Sequence, residues 1–137
     1  MTTKPVPIST PKPAVALKTL SERPAGLEIK RVSIGSTDEN GDWAGRMGDS
    51  VSYRSLRDGH TMAYYIELYN AGVDYIDINL SLYVDGVYRG YWDPSRIPYK
   101  YTWTYWTWFD ESEIGTHTVQ WCLDGQVLFE KKLTITP

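Results

Sequence analysis

The chain has 137 residues and a formal net charge of −3, and 42% of its residues are hydrophobic and 23% charged. This size and composition are typical of a single globular domain with a buried core. The negative charge argues against a protein that binds the phosphate backbone of nucleic acids. No run of about 18 apolar residues occurs, so no membrane-spanning helix is predicted. The single cysteine, Cys122, excludes an intramolecular disulfide and is predicted to be a small buried strand residue.

Residues 1–26 differ in composition from the rest of the chain. They contain five of the eight prolines and carry a charge of +3, which leaves −6 on the remaining residues. Proline removes a backbone donor and fixes φ, so this stretch favours an extended chain. It also lacks the apolar segment of a secretory signal, so export by that route is not expected if Met1 is the natural start. The stretch is predicted to be either a solvated linker or an arm that docks on a neighbouring subunit through Lys4, Pro5, Pro7, Pro11, Lys12 and Pro13.

From Leu27 onward the pattern is that of successive strands. The segment "LEIKRVSI" (27–34) alternates with one slip of phase, which predicts a strand with a bulge. The segments 61–70 and 75–84 alternate with period 2, and 75–84 is predicted to be one half-buried strand. Asp85-Gly86 and Asp124-Gly125 predict tight hairpins, because both turn positions favour positive φ. About seven such strands and no helical spacing predict an all-β fold, an antiparallel β-sandwich.

Three of these signals occur in a recognisable order. A strand ends in Asn70-Ala71-Gly72, a later strand turns at Val84-Asp85-Gly86, and Gly115 opens a strand of the type "GTHTV". This order resembles the bacterial CARDB-like branch of immunoglobulin and fibronectin type III sandwiches. The resemblance implies an immunoglobulin-like sandwich over residues 27–137 and a role in adhesion, spacing or assembly, without a shared active site. Residues 35–60 and 99–109 depart from the pattern, so any special function is expected there.

The segment "YKYTWTYWTWF" (99–109) has seven aromatic residues among eleven. Its alternation predicts that the rings from Tyr99 to Trp103 face the core, and that from Tyr105 and Trp106 onward rings lie on both faces unless a bulge restores the phase. Both faces cannot enter one core, so some rings are expected to form an exposed interaction surface. The residues predicted for this binding surface are Tyr88, Tyr91, Trp92, Tyr105, Trp106 and Trp108.

The sequence carries no motif that indicates catalysis. His60 lies in a predicted turn and His117 opens a strand, and neither has a nucleophile partner in a recognisable motif. The acidic residues Asp110, Glu111 and Glu113 are interpreted as a polar loop that leads into the next strand. An enzyme is therefore not expected.

One loop has a pattern that suits a hard cation. Asp38, Asn40 and Asp42 place oxygen donors at alternate positions, as calcium loops do. The sixth position of an EF-hand loop is glycine, whereas here it is Trp43, and the same residue types are common in exposed turns. Calcium is the single cofactor that the sequence suggests.

Two classes of function remain open. In the first, the domain is a structural surface component of a larger assembly, such as a decoration protein of a phage virion, and its cationic arm anchors it to protein subunits. In the second, it is an extracellular module that binds carbohydrate through stacked Trp and Tyr rings, with Asp and Asn bonding the hydroxyl groups. The first class is preferred, with a possible homo-oligomer on the particle surface. Neither nucleic acid nor membrane is an expected partner.

Overall fold

A computed structural model describes Thr2, Thr3, Pro5 and residues 17–137. These residues form twelve β-strands and two 3-10 turns, Tyr53–Ser55 and Glu111–Glu113, and contain no α-helix. The chain is thus all-β, as predicted, with more strands than the expected seven. The strands are β1 Thr2–Thr3, β2 Leu27–Thr37, β3 Trp43–Gly48, β4 Ser50–Ser52, β5 Thr61–Asn70, β6 Tyr75–Ile78, β7 Leu80–Val84, β8 Val87–Tyr91, β9 Ser95–Pro98, β10 Thr102–Phe109, β11 Gly115–Leu123 and β12 Gln126–Thr136.

The strands form two five-stranded sheets and one small sheet. The first sheet has the order β1-β10-β5-β2-β3, the second has β4-β12-β11-β7-β8, and β6 pairs with β9 alone. The long strands pair antiparallel, but β1 runs parallel to β10 and β4 runs parallel to β12. The prediction of a wholly antiparallel sandwich is therefore corrected at two outer strands. Neither of these strands is joined to its neighbour by a hairpin, so chain connectivity does not impose the antiparallel direction.

The two large sheets share one hydrophobic core. Alternate residues of β5 (Met62, Tyr64, Ile66 and Leu68) are fully buried in the same cluster as residues of the second sheet. The second sheet supplies Leu80, Leu82, Val84, Val119, Trp121, Leu133 and Ile135. The apolar residues that alternate in the sequence are thus the ones whose side chains face the core. This arrangement gives the molecule its sandwich-like, all-β character.

Several local features agree with the sequence predictions. The strand pairing shifts between Ile29 and Arg31, which is the predicted bulge. Asp85 and Gly86 have φ of 52° and 78°, and Asp124 and Gly125 have φ of 50° and 78°, as the two tight hairpins require. Cys122 is buried, and this burial raises the pKa of its thiol to about 11.

The segment 75–84 differs from its prediction. Its apolar residues are buried as expected, but the chain leaves one sheet and joins another at Asn79, so the single predicted strand is two strands, β6 and β7. Asn79 Nδ2 donates to Asp124 Oδ1 at 3.2 Å, and the backbone N–H of Asp124 donates to the carbonyl oxygen of Asn79 at 3.0 Å. These bonds attach Asn79, which lies between β6 and β7, to the β11–β12 hairpin. The small β6–β9 sheet is therefore separate from the two large sheets in its hydrogen bonding, although Ile76, Ile78 and Ile97 are buried in the main core.

The described part of the N-terminal segment contacts the domain itself. Thr3 accepts two indole N–H bonds, from Trp92 to its carbonyl oxygen at 3.2 Å and from Trp103 to its hydroxyl oxygen. Farther along, Thr19 forms a parallel bridge with Val127 of β12. Of the predicted docking residues, Pro5 is half-buried, and Lys4, Pro7, Pro11, Lys12 and Pro13 lie outside the described residues. Within the described residues, no helix is long and apolar enough to cross a membrane.

Candidate binding surface

The aromatic segment 99–109 is more regular than predicted. β10 begins at Thr102 and pairs with β5 without a shift of register, so no bulge restores the phase and rings lie on both faces of the strand. Tyr105 and Phe109 lie in the main core, whereas Trp106 and Trp108 lie on the opposite face of the strand. Tyr99 and Tyr101 precede the strand and are exposed. The prediction that Tyr99 and Tyr101 face the core is therefore wrong, because these two residues belong to a turn and not to the strand, whereas Trp103 packs against the main core as predicted.

Three of the six predicted surface residues are buried. Trp92 and Tyr105 are fully buried in the main core, where their ring centroids lie 6.1 Å apart. Trp106 is only 1% exposed and belongs to a second cluster, with Ala63, Tyr65 and Trp43, on the outer face of the first sheet. These three rings present no free face to a ligand in this structure. Their assignment to an exposed surface is corrected for that reason.

The other three predicted residues are accessible, but Trp108 lies on a different sheet from Tyr88 and Tyr91. Trp108 is 38% exposed on the outer face of the first sheet, and its indole N–H donates to Thr37 Oγ1 at 3.0 Å. Tyr88 and Tyr91 lie on β8 of the second sheet, where Tyr88 packs against Tyr83 with 5.5 Å between centroids. The structure therefore does not combine the predicted residues into one surface.

A different group of aromatic residues is exposed on and next to the small β6–β9 sheet. Tyr75, Tyr99 and Tyr101 are 61%, 47% and 50% exposed. Tyr75 pairs with Pro98 in the small sheet, and the turn that follows Pro98 carries Tyr99 and Tyr101. We call these three tyrosines, with Asp77 and Arg96, the tyrosine surface.

Charged side chains order part of the tyrosine surface. Arg96 Nε donates to Asp77 Oδ1 at 2.7 Å, and the guanidinium of Arg96 lies 5.8 Å from the centroid of the Tyr75 ring. Lys100, whose φ is 65°, places its ammonium 5.2 Å from the Tyr99 centroid. Cations at these distances interact favourably with the ring faces. Two of the three tyrosines thus have a cationic neighbour that limits their motion.

Asn70 attaches the tyrosine surface to the core. Its side chain is fully buried, and Nδ2 donates to the carbonyl oxygens of Val73 at 2.8 Å and Ile97 at 2.9 Å. Oδ1 accepts from the backbone N–H groups of Gly72 at 3.2 Å and Val73 at 3.1 Å. The backbone of Asn70 also bonds to Lys100 and Tyr101. The Asn70 side chain therefore uses all its hydrogen-bonding capacity, and it joins the end of β5 to the chain at Val73 and at Ile97.

Two cavities adjoin the tyrosine surface on either side of Asp77. One has a volume of about 460 Å³ and is lined by polar and apolar groups, the polar ones including Asn79, Ser95, Arg96 and Asp124. The other has a volume of about 350 Å³ and lies between Tyr75 and the chain at Pro24 and Ala25. Both volumes are in the range of sites for small molecules. The arrangement combines accessible rings with carboxylate, amide and guanidinium groups and can bind a ligand without chemical change.

Compared with known proteins, this chain matches no family model, no curated protein and no solved structure. The resemblance to CARDB-like domains stays a prediction.

The suggested calcium loop is occupied by its own hydrogen bonds. Asp38 Oδ1 accepts from the backbone N–H groups of Asn40 at 2.9 Å and Asp42 at 3.0 Å, which makes Asp38 the cap of the β2–β3 turn. Within the part of the chain that the structure describes, no group of three or more His, Cys, Asp or Glu side chains is placed to hold a metal ion. The geometry thus lends the calcium hypothesis no support.

His117 belongs to a network that joins three segments of the chain. Its Nδ1 lies 2.6 Å from Asp85 Oδ2, and its Nε2 lies 2.7 Å from the carbonyl oxygen of Glu113. Both partners are acceptors, so the arrangement favours the charged imidazolium, in which both ring nitrogens donate. The side chain of Glu113 in turn pairs with Arg89 and accepts from the Tyr64 hydroxyl at 3.1 Å. This network attaches the Glu111–Glu113 turn to β8 and to the β7–β8 hairpin.

We expect the free energy of unfolding to decrease as pH rises through neutrality, and His117→Gln to reduce that decrease. Burial by itself would lower the pKa of His117, but the bonds to Asp85 and Glu113 outweigh it and raise the pKa. A raised pKa stabilises the folded state fully below the unfolded value, near pH 6.5, and this stabilisation is lost as pH rises through the folded value. Urea unfolding between roughly pH 5 and pH 9 measures the slope. His60→Gln is the control, and an unchanged slope in His117→Gln would contradict the prediction.

Proposed function

We propose that this chain is a non-catalytic binding module and that it serves as a structural surface component of a larger assembly, such as a phage virion. The tyrosine surface is the contact that it offers to protein subunits of that assembly. The immunoglobulin-like class of the fold, the boundary between residues 26 and 27, and the location on a particle surface are parts of the same proposal. They rest on the sequence pattern and its resemblance to CARDB-like domains.

The observation that carries the proposal is the composition of the tyrosine surface. Tyrosine and arginine are enriched among the residues that contribute most to protein–protein affinity, and here Tyr75 is exposed beside Arg96, while Tyr99 and Tyr101 are exposed in the turn that follows Pro98. Each tyrosine offers a large apolar face with few rotatable bonds, so ordering it in an interface costs little entropy. Asn70 further supports this role, because a contact surface that is fixed before binding loses less freedom on association.

The proposed anchor is the N-terminal segment. Its excess of positive charge and its prolines suit an extended segment that lies along a negatively charged neighbour. The contacts of Thr3 with Trp92 and Trp103, and of Thr19 with Val127, attach the segment to the domain at two points. In the proposal, the residues between these two points contact the neighbouring subunit, and the tyrosine surface makes a second, separate contact.

The test is the occupancy of this chain on particles isolated from the organism that encodes it. We expect the chain to sediment with such particles, and we expect Tyr75→Ala/Tyr99→Ala to lower its occupancy by about tenfold or more. Tyr91→Ala is the control, because Tyr91 is an exposed tyrosine on β8 that is not part of the tyrosine surface. Deletion of residues 1–26 tests the anchor separately. Recovery of the chain only in the free fraction, or full occupancy of the double variant, would refute the proposal.

A carbohydrate ligand is the second candidate, and the polar cavity next to Asp77 favours it. Asn79, Arg96 and Asp124 line that cavity, and such groups bond sugar hydroxyls while a neighbouring tyrosine stacks on the sugar ring. A glycan array distinguishes the two candidates. Saturable binding of a glycan by the wild type and by Tyr91→Ala, with loss in Tyr75→Ala/Tyr99→Ala, would replace the protein contact by the carbohydrate function.

A further inference from the structure

A third cavity, on the edge of the molecule where β2, β3 and β12 meet, gathers cations from three strands. It has a volume of about 500 Å³, and Lys30, Arg31, Arg46 and Lys131 line it. The bulge at Lys30 explains why two of them are consecutive. At a bulge the alternation of faces is interrupted, so Lys30 and Arg31 are both exposed and both reach the same cavity.

Two of the four cations are held in place by carboxylates. Arg46 forms a two-pronged pair with Glu67, with distances of 2.9 Å and 3.1 Å. Lys131 lies 2.7 Å from Asp49, and Asp49 also accepts from the hydroxyl of Ser33 at 2.7 Å. These pairs fix the orientation of Arg46 and Lys131, but they also balance most of their charge.

The charge that is not balanced belongs to Arg31. Lys30 lies 3.8 Å from Glu28 and 4.8 Å from the centroid of the Tyr69 ring. Arg31, in contrast, makes no ion pair and no side-chain hydrogen bond within residues 17–137 and the few described before them. Four cations and three carboxylates therefore leave one positive charge in excess, in a chain whose net charge is −3. A guanidinium with all five N–H donors free is suited to a two-pronged bond with an oxyanion.

The remaining wall includes a neutral side chain. The Tyr65 side chain lines the cavity, is only 1% exposed, and has a hydroxyl whose pKa is raised by burial. The cavity volume exceeds that of an inorganic anion and is in the range of sites for small molecules. The chemistry therefore suits a carboxylate, sulfate or phosphate group, alone or carried on a body of about the size of a monosaccharide.

We propose that this cavity is an anion-binding site, in which Arg31 makes the direct contact with the anionic group and Arg46, Lys131 and Tyr65 surround it. The site is separate from the tyrosine surface, so the test of anion binding is independent of the test of the proposed function. Its ligand class is an oxyanion: a carboxylate, a sulfate or a phosphate.

The probes are sulfate, phosphate and glucuronate, each titrated at constant ionic strength and followed by NMR of the backbone amides. Glucose is the neutral control for glucuronate. We expect at least one oxyanion to give saturable shifts at residues 30–33 and 46–49. We also expect Arg31→Ala to weaken that binding by about tenfold, the loss typical of a bond to a charged group. Arg57→Ala removes the same charge from an exposed arginine that does not line the cavity, and it should bind as the wild type does.

The anion that saturates at the lowest concentration indicates which kind of ligand carries the anionic group that binds in the cavity. A preference for glucuronate over sulfate and phosphate indicates an acidic sugar, and the reverse preference indicates a sulfated or phosphorylated ligand. Arg31 is exposed, so its replacement leaves the core intact and loss of folding does not obscure the result. Absence of saturation with all three anions, or equal binding by Arg31→Ala and Arg57→Ala, would overturn the proposal.

Discussion

Replacement of Asn70 by aspartate is expected to destabilise the domain by roughly 3 kcal/mol, a large effect for one change of atom type. The aspartate keeps the oxygen that accepts from Gly72 and Val73, but it lacks the two N–H donors. The carbonyl oxygens of Val73 and Ile97 then face a carboxylate in a buried position. Two unsatisfied acceptors and a buried charge are among the costliest defects in a protein interior.

Urea unfolding followed by circular dichroism measures this loss, with Asn40→Asp as the matched control. Asn40 is exposed, so the same substitution there is expected to cost less than about 1 kcal/mol. We also expect faster hydrogen exchange at the amides of Gly72, Val73 and Lys100 in Asn70→Asp, because the tyrosine surface loses its attachment. Equal costs for the two substitutions would mean that Asn70 is not the attachment that its hydrogen bonds indicate.

Gly35→Ala is expected to destabilise the domain by about 2 kcal/mol, because the added methyl group has no room between Gly35 and the residues that pack against it. A Cβ at Gly35 would lie 2.2 Å from Trp43 Cη2 and 2.6 Å from the carbonyl oxygen of Gly45. The ring of Trp43 can shift, but the backbone oxygen cannot move without distortion of β3. Displacement of Trp43 would also uncover Tyr65, whose ring centroid is 4.7 Å from that of Trp43.

Thermal unfolding and tryptophan fluorescence measure the two parts of this prediction. Gly72→Ala is the control, because a Cβ there meets only the Cα of Gly26, at 3.7 Å. In a Trp43→Ala background the cost of Gly35→Ala should decrease but not vanish, since the contact with Gly45 persists. If Gly35→Ala proves as mild as Gly72→Ala, with no change in fluorescence, the close packing of Trp43 over Gly35 is disproved.

The features that could be predicted from the sequence are those set by neighbouring residues. Asp85-Gly86 and Asp124-Gly125 adopt positive φ because their own backbone favours it, and the bulge follows from a slip of phase within eight residues. The buried set of 75–84 was likewise readable from its alternation. The break at Asn79 was not, because it depends on bonds to Asp124, a residue 45 positions away.

Whether an aromatic ring is exposed depends on what packs over the face of the sheet on which it lies. The alternation of residues along a strand shows which residues share a face, but not what covers that face. Trp106 faces away from the main core, as the odd–even pattern of β10 requires, yet Trp43 packs against it with 6.1 Å between centroids. Trp43 reaches that position because Gly35 has no side chain, and this pairing joins two strands. One feature that supports the tyrosine surface could be recognised in the sequence. The Asn70-Ala71-Gly72 ending marks the residue that attaches this end of the molecule to the core.

The burial of Cys122 has a practical consequence for the study of this protein in solution. With a pKa of about 11, only about one thiol in ten thousand is ionised at pH 7, and the sulfur lies inside the core. A cysteine introduced at an exposed position, such as Ala71 beside Asn70, would then react alone with a maleimide dye. The native chain thus accepts a single fluorophore next to the tyrosine surface without prior removal of its own thiol, and partner binding can be followed directly by a change in emission.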